Sequence, residues 1–378
     1  MPKAANNSGN IRLRKDGRWE ARYTAPDGSR RSLFGKTQAD VRQKLTRVLS
    51  DIQEGTYNKP AQMTLNKWLD TWEAEYLSDV KPRTKTEYQG TVARYIRPAL
   101  GRMKLTSIST SAIQSMYNNL IKRGRSAKTV KNVHGILHRA LNDAVSVRLL
   151  RFNPSDAVKL PRVNKPELHP FDEEQITAFL DAIQGHPYEH LFYVTLFCGL
   201  RQGEALGLTW DAVDFKSGTL TINKQLQLAR DGSKQTALTS PKNGKGRVIK
   251  PAASVMRTLR DEQQKQLEAR FRAGSAWNNS LNLVFTNEIG GHLSASHVYA
   301  QFKKLAVSIG APDARFHDLR HSYAVLAIKG GDDILTVQRN LGHHAASFTL
   351  DVYGYITDQM RADSADRMEA QITSLKRA

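Results

Sequence analysis

A histidine, an arginine, a second histidine and a tyrosine fall within residues 316–355, FHDLRHSYAVLAIKGGDDILTVQRNLGHHAASFTLDVYGY. His317 and Arg320 stand three apart, so on a helix they share a face. A break at Gly330-Gly331 precedes a second helical pattern ending in Leu341-Gly342-His343, and Tyr353 lies ten residues beyond His343. This set suits attack on a phosphodiester. A phenol oxygen is the nucleophile, a guanidinium holds the non-bridging oxygens, and imidazoles donate hydrogen bonds or move protons. No carboxylate cluster or Cys/His ligand set accompanies them, so neither a metal nor another cofactor is expected. His317 and His321 have the spacing of a metal pair with Asp318 after the first, but Arg320 beside them is a fixed cation that would repel a metal ion.

HDLRHSYA followed by LGHHAASFTLDVY resembles the carboxyl-terminal signature of the tyrosine recombinases, the integrases of phages and conjugative transposons. GLRQGEALGLTW, residues 199–210, resembles that family's first catalytic arginine motif. The resemblance implies that Arg201 and Arg320 clamp one phosphate while His317 and His343 hydrogen-bond it. It implies that Tyr353 attacks to give a 3′-phosphotyrosine and that Glu204 braces the site. Tyr353 is the tyrosine after Thr349-Leu350-Asp351-Val352; Tyr355 stands two residues on, where many members have histidine. The family also places a lysine on a β-hairpin at the scissile bond. Lys242, after Pro241, fits that place, with Lys245 the alternative and Asn243 where a threonine is common. A lysine near two arginines has its protonated form disfavoured, which suits it to give a proton to a leaving alkoxide. The resemblance further implies double-stranded DNA with core and arm-type sites as partner, and a homo-oligomer, a tetramer on DNA. It also implies accessory DNA-bending or excision factors, and a tail helix from 358 to 378 that docks on a neighbouring subunit.

These residues need elements to position them. Acids at 172–174 open a helix, as the helix dipole favours. An apolar helix over 190–197 ends at Gly199, and Arg201 then stands at the start of another helix, where its guanidinium can project into a cleft. Strands are expected at 219–223 and 226–229, and a hairpin whose arms are 235–238 and 246–250 carries Lys242 at its tip. Helices are expected at 252–271 and 294–309, with a strand at 283–286 between them.

The charge is unevenly placed. The 378 residues hold 56 Lys+Arg against 36 Asp+Glu, a formal +20. Residues 1–60 hold 13 basic and 6 acidic side chains, residues 61–165 hold 19 and 7, and residues 166–378 hold 24 and 23. A surplus confined to the first 165 residues marks a polyanion-binding surface. No spanning run or large apolar helix face supports membrane binding instead. The single cysteine, Cys198, lies in an apolar run and reads as a core residue in a reducing compartment. The first ten residues, MPKAANNSGN, lack the apolar core of a secretory signal, so a cytoplasmic protein acting on nucleoid DNA is expected.

Before the catalytic half, the pattern divides twice. Alternating stretches at 11–15, 18–24 and 29–34, separated by Asp16-Gly17 and Asp27-Gly28, predict a three-stranded sheet, and 37–54 predicts a helix bracing it. Arg12, Arg14, Arg18, Arg22, Arg30 and Arg31 lie on this sheet, and a sheet can enter the major groove, where arginine reads guanine edges. The module resembles the arm-binding domains that open several transposon integrases. After a linker at 55–62, helices are expected at 65–76, 83–95, 110–123 and 126–148, capped by Thr64, Ser109 or Thr110, and Ser126. Lys81, Arg83, Lys85, Lys122, Arg125, Lys128 and Lys131 cluster at their starts and loops, where helix amides join them on phosphates. Trp68, Leu69 and Trp72 form a stripe that reads as core. Asn153-Pro154, Pro161 and 162–170 predict a mobile linker. The expected fold class is therefore α+β and multidomain. It comprises an arm-type module (1–60), an all-α core-site DNA-binding bundle with linker (61–165), and a mostly α catalytic domain with a small β-sheet and hairpin (166–378).

Overall fold

The computed structural model describes residues 10–53, 63–163, 168–228, 236–241, 244, 246–342 and eight positions between 365 and 376. The chain divides into two compact units, Met1–Lys165 and Pro166–Ala378.

The first unit begins with an antiparallel sheet in the order β1 (Asn10–Leu13), β2 (Trp19–Thr24), β3 (Arg30–Gly35), followed by α1 (Gln38–Gln53). Gly17 and Gly28 adopt φ of +76° and +77° in the two turns, a conformation open to glycine at no steric cost. Alternation sends Trp19, Ala21 and Tyr23 toward Val41 and Leu45 of α1, and Glu20 and Arg22 to the opposite face.

The bundle of this unit contains α2 (Leu65–Glu75), α3 (Pro82–Thr91), α4 (Arg97–Leu100), α5 (Thr110–Lys122) and α6 (Ala127–Ser146). Thr64, Ser109 and Ser126 each accept a hydrogen bond from the amide three residues on, which satisfies one orphan donor of the following helix. A π-helical turn, Val92–Ile96, joins α3 to α4. Pro98 explains it: the ring would meet the Arg94 carbonyl in an unbroken α-helix, and the wider turn avoids that collision. Trp68 and Trp72 are buried in the bundle core, and their indole N–H groups bond the Ala140 carbonyl at 2.8 Å and Asp143 Oδ2 at 2.7 Å.

The stretch that opens the expected mobile linker at Asn153 is fixed to the bundle as far as Lys159. Asn153 and Ser155 are buried, and the Asn153 amide bonds the His138 carbonyl at 3.1 Å and Asn142 Oδ1 at 2.7 Å. Thr110 holds the Pro154 carbonyl and Gln114 holds both backbone groups of Lys159, so this proline-rich stretch is strapped to the bundle. Positions 54–62 and 164–167, part of both expected linkers, lie outside the described residues.

The second unit runs α7 (Glu173–Ile183), α8 (Glu189–Cys198), α9 (Gln202–Leu206), β4 (Val213–Asp214), β5 (Thr219–Ile222), β6 (Gln225–Leu228), β7 (Thr236–Thr239), β8 (Arg247–Ile249), α10 (Ala253–Ala273), α11 (Ala295–Ser308), α12 (Asp318–Lys329) and α13 (Ile334–Leu341). Phe171, Phe179, Phe192, Phe302 and Phe316 meet ring to ring at its centre. Two strand assignments need correction. The arms at 235–238 and 246–250 do not pair with each other: β7 pairs with β6, and β8 pairs with β5 in the order β4-β5-β8. Alternation identifies strands but not partners, and the buried Leu220–Ile249 pair draws β8 to β5. Residues 283–286 make isolated bridges, Thr209 to Leu283 and Thr286 to His292, where a strand was expected. No helix among the described residues is long and apolar enough to cross a membrane.

Candidate active site

α8 ends at Gly199, whose φ of +59° closes the helix in the left-handed conformation. The reversal leads directly into Arg201, the N-cap residue of α9. Glu204, in the first turn of α9, reaches back to Arg201: it accepts from the Arg201 amide at 3.0 Å and from Nη1 at 2.7 Å. Arg247 on β8 grips the same carboxylate with both terminal nitrogens, at 3.1 and 2.8 Å. Arg320 on α12 donates to the Gly199 carbonyl at 2.7 Å and to the Leu341 carbonyl, and its Nη1 lies 4.0 Å from Glu204 Oε2. Glu204 and Arg320 are each 1% exposed and Arg247 9%, whereas Arg201 keeps 31% of its side chain open.

Burial alone would raise the Glu204 pKa. The hydrogen bonds and charges of Arg247, then of Arg201, outweigh it and hold the group down at about 2. Glu204 is therefore an anion at any working pH, and three guanidiniums face one carboxylate. The surplus positive charge makes a basin for a phosphate, with Arg201 as its most accessible donor.

The start of α12 is fixed by Asp318, fully buried, which accepts from the Arg315 amide at 2.7 Å and from its guanidinium at 2.8 Å. His317 is the residue just before this helix and has an open face to solvent. Its ring meets that of His321 edge to face, with centroids 4.9 Å apart. Desolvation by the protein atoms packed around His317, then the charges of His321, Arg320 and Arg201, push its pKa down to about 4. Desolvation also brings His321 down to about 4, with Arg315 and Arg320 contributing. Both imidazoles are neutral at pH 7, so each offers one N–H donor and one acceptor nitrogen. His317 feels both Arg201 and Arg320, which puts the three within electrostatic reach of one another.

Residues 168–360 match the model of the Phage integrase family, and residues 64–121 match that of the phage integrase N-terminal SAM-like domain. The chain belongs to the phage integrase family. As a member it is a tyrosine recombinase, a site-specific DNA recombinase. It is similar to a tyrosine recombinase XerC-like protein of Caldanaerobacter subterraneus subsp. tengcongensis, 29% identical and covering 90% of this chain and 91% of the relative. The ICEBs1 integrase of Bacillus subtilis is 25% identical, with 88% and 89% covered. The fold matches that of the Tn1549 transposon integrase in complex with a circular intermediate DNA. The TM-score is 0.68 at 20% identity, over 81% of this chain and 99% of the other. It also matches a lambda integrase tetramer bound to a Holliday junction, with a TM-score of 0.57 at 19% identity, over 93% and 97%.

In this integrase the structure brings together Arg201, Glu204, His317 and Arg320 from the sequence reading. Lys242, His343 and Tyr353, with the alternatives Lys245 and Tyr355, lie outside the described residues, as does most of the tail. Arg247 was missed, and His321 was weighed only as half of a metal pair. Arg247 had a signal: it alternates with Ile249 on the buried side of a strand, and an inward cation there requires an acid. Cys198 is buried, and desolvation pushes its thiol up to about 12, so it supplies no thiolate.

Register divides the arginines of the first sheet between its two faces. Register puts Arg12, Arg22 and Arg30 on the face turned away from α1, while Arg31 takes the other face and binds Asp27 at 2.9 Å. Arg14 and Arg18 flank Asp16 in the first turn and lie over the exposed Phe34 ring, 5.4 and 5.9 Å from its centroid. Glu20 sits buried in the middle of the outer face. Hydrogen bonds from Ser32, then Arg12, then Arg22 hold its pKa down at about 2, against the effect of desolvation. In the bundle, Lys81 precedes α3, Arg83 and Lys85 stand in its first turn, and Arg83 reaches Glu87 at 3.3 Å. Lys122 ends α5, Arg125 lies 5.9 Å from the Tyr95 centroid, and Lys128 and Lys131 occupy the exposed side of the start of α6.

Proposed function

We propose that the chain is the integrase of a mobile genetic element, integrating or excising that element through a 3′-phosphotyrosine intermediate. Arg201 and Arg320 hold the non-bridging oxygens of the scissile phosphate, and His317 and His343 hydrogen-bond the same centre. Tyr353 attacks phosphorus, the bond to the 5′ oxygen breaks, and Lys242 protonates that oxygen as it leaves. A 5′-hydroxyl from a partner duplex then attacks the phosphotyrosine and returns the tyrosine. One ester replaces another, so the exchange needs neither a nucleotide nor a metal ion.

One observation carries this reading: two arginines from segments about a hundred residues apart, Arg201 and Arg320, meet around a single buried carboxylate beside His317. The exposed basic residues of the first unit support binding to arm-type and core sites. The tetrameric lambda integrase on a Holliday junction supports assembly of four copies on DNA; docking of the tail on a neighbour is part of the same proposal. Accessory bending or excision factors and action on nucleoid DNA in the cytoplasm complete the proposal.

The test is a nicked duplex carrying the junction between the element and its host, on which the first cleavage traps a covalent complex. Wild type and Tyr355→Phe should trap it and Tyr353→Phe should not. An adduct with Tyr353→Phe, or its loss with Tyr355→Phe alone, contradicts the assignment.

A further inference from the structure

The chemistry proposed above gives no task to Arg247, although it is the most thoroughly engaged guanidinium of the cluster. Both terminal nitrogens lie on Glu204, and Nε donates to the Asn340 carbonyl at 2.5 Å. Asn340 is one residue from the end of α13, whose next carbonyl, that of Leu341, accepts from Arg320. The chain then turns at Gly342, where an added Cβ would stand 3.1 Å from Arg247 Cδ. With only 9% of its side chain exposed and its donors turned inward, Arg247 is not placed to bind phosphate itself.

We infer that Arg247 is a positioning residue that saturates Glu204 and so keeps this carboxylate from capturing Arg320. The inference rests on the recombinase reading of the site. A buried carboxylate deprived of a partner draws in the nearest cation, because an uncompensated charge in the interior is strongly unfavourable. Arg201 already bonds Oε1 at 2.7 Å, and the next nearest cation is Arg320, whose Nη1 lies 4.0 Å from Oε2, a gap that a small side-chain rotation closes. Arg320 would then leave the Gly199 and Leu341 carbonyls that aim it, and a neutralised guanidinium stabilises a phosphorane poorly. Arg247 also clips β8 to the end of α13. A purely structural clip and a charge-saturating role predict different behaviour once Glu204 is neutral.

The experiment compares wild type, Arg247→Gln, Glu204→Gln and the double variant. It measures single-turnover formation of the covalent complex on the nicked junction duplex, affinity for the same DNA by anisotropy, and thermal unfolding. Arg247→Gln should slow cleavage on the order of 10²-fold while binding DNA with affinity within about threefold of wild type. Adding Glu204→Gln should recover at least about tenfold of that rate, because no stranded charge is left to pull Arg320 away. A double variant as slow as Arg247→Gln or slower would overturn the inference, as would an Arg247→Gln rate within about twofold of wild type. If Arg247→Gln does not fold, Arg247→Lys, which keeps the charge with fewer bonds, should fold and cleave about tenfold slowly; a wild-type rate there would assign a structural clip and overturn the inference. A wild-type protein that forms no adduct would overturn the recombinase reading instead.

Discussion

Arg201 shows what a guanidinium supplies here that an ammonium does not. It bonds Glu204 through Nη1 while 31% of the side chain stays open for a phosphate. Lysine offers a point charge that cannot do both in one plane, so Arg201→Lys should lower the cleavage rate on the order of 10²–10³-fold with folding intact, measured on the nicked duplex. The histidines make a separate prediction about pH. Folded His317 and His321 have pKa values of about 4 against an ordinary 6.5, so between those values the unfolded chain binds protons that the folded chain refuses. Stability is full above 6.5 and falls as pH drops toward 4. Glu204, held at about 2 against 4.5, adds a further loss as pH falls below 4.5. Urea melts at pH 7.5, 5.5 and 4.5 should show a falling midpoint, and His321→Asn should flatten the first step; a midpoint that rises on acidification contradicts the burial argument. Arg201 and Glu204 were singled out by the resemblance of GLRQGEALGLTW to the family's first arginine motif, and the structure shows the two side chains bonded to each other. Arg247 was overlooked despite its alternation with Ile249, because its partner Glu204 lies 43 positions away and no local pattern pairs the two.

Helix ends were the most legible elements. Thr64, Ser109, Ser126, Asp172 and Ser294 announce helices through local hydroxyl or carboxylate chemistry, and each accepts from the amide three residues on. Strand partners were illegible because alternation is the same whichever neighbour a strand takes. The π-turn before Arg97 was also unforeseen, although Pro98 carried the reason for it. Gly199 is the element end that matters most to the site. An added Cβ there would lie 2.6 Å from Tyr323 Cδ1 and 2.7 Å from Leu341 Cδ2, at a φ of +59°. Gly199→Ala should therefore cost about 3 kcal/mol, from left-handed strain and overpacking together, and should slow cleavage by shifting the carbonyl that aims Arg320. Gly218→Ala, at φ +68° with nothing within 4 Å, should cost only about 1 kcal/mol. Equal losses in urea denaturation would show that the contacts at Gly199 are unimportant.

Across the molecule, charge and chemistry are carried by different stretches of chain. Residues 1–165 hold nearly all the positive surplus, while the described candidate site lies wholly in the second unit. Deleting residues 1–60 should weaken binding to arm-type DNA and reduce its salt dependence, yet leave cleavage of a core site in place. Loss of core cleavage on that deletion would mean that the first module serves the reaction itself. The charge division was legible by counting. Which basic residues share a face was not, since that depends on register and on partners such as Glu20 and Asp27.

The central claim is that Arg201, Arg320, His317 and Tyr353 act on one phosphorus atom. Its most direct test is mass spectrometry of the trapped adduct. Trypsin releases residues 340–361, which contain both Tyr353 and Tyr355. The account predicts fragment ions that place a 3′-linked nucleotide on Tyr353, in an adduct that Arg320→Ala nearly abolishes. A nucleotide on Tyr355, a 5′ linkage, or an undiminished adduct with Arg320→Ala would contradict it.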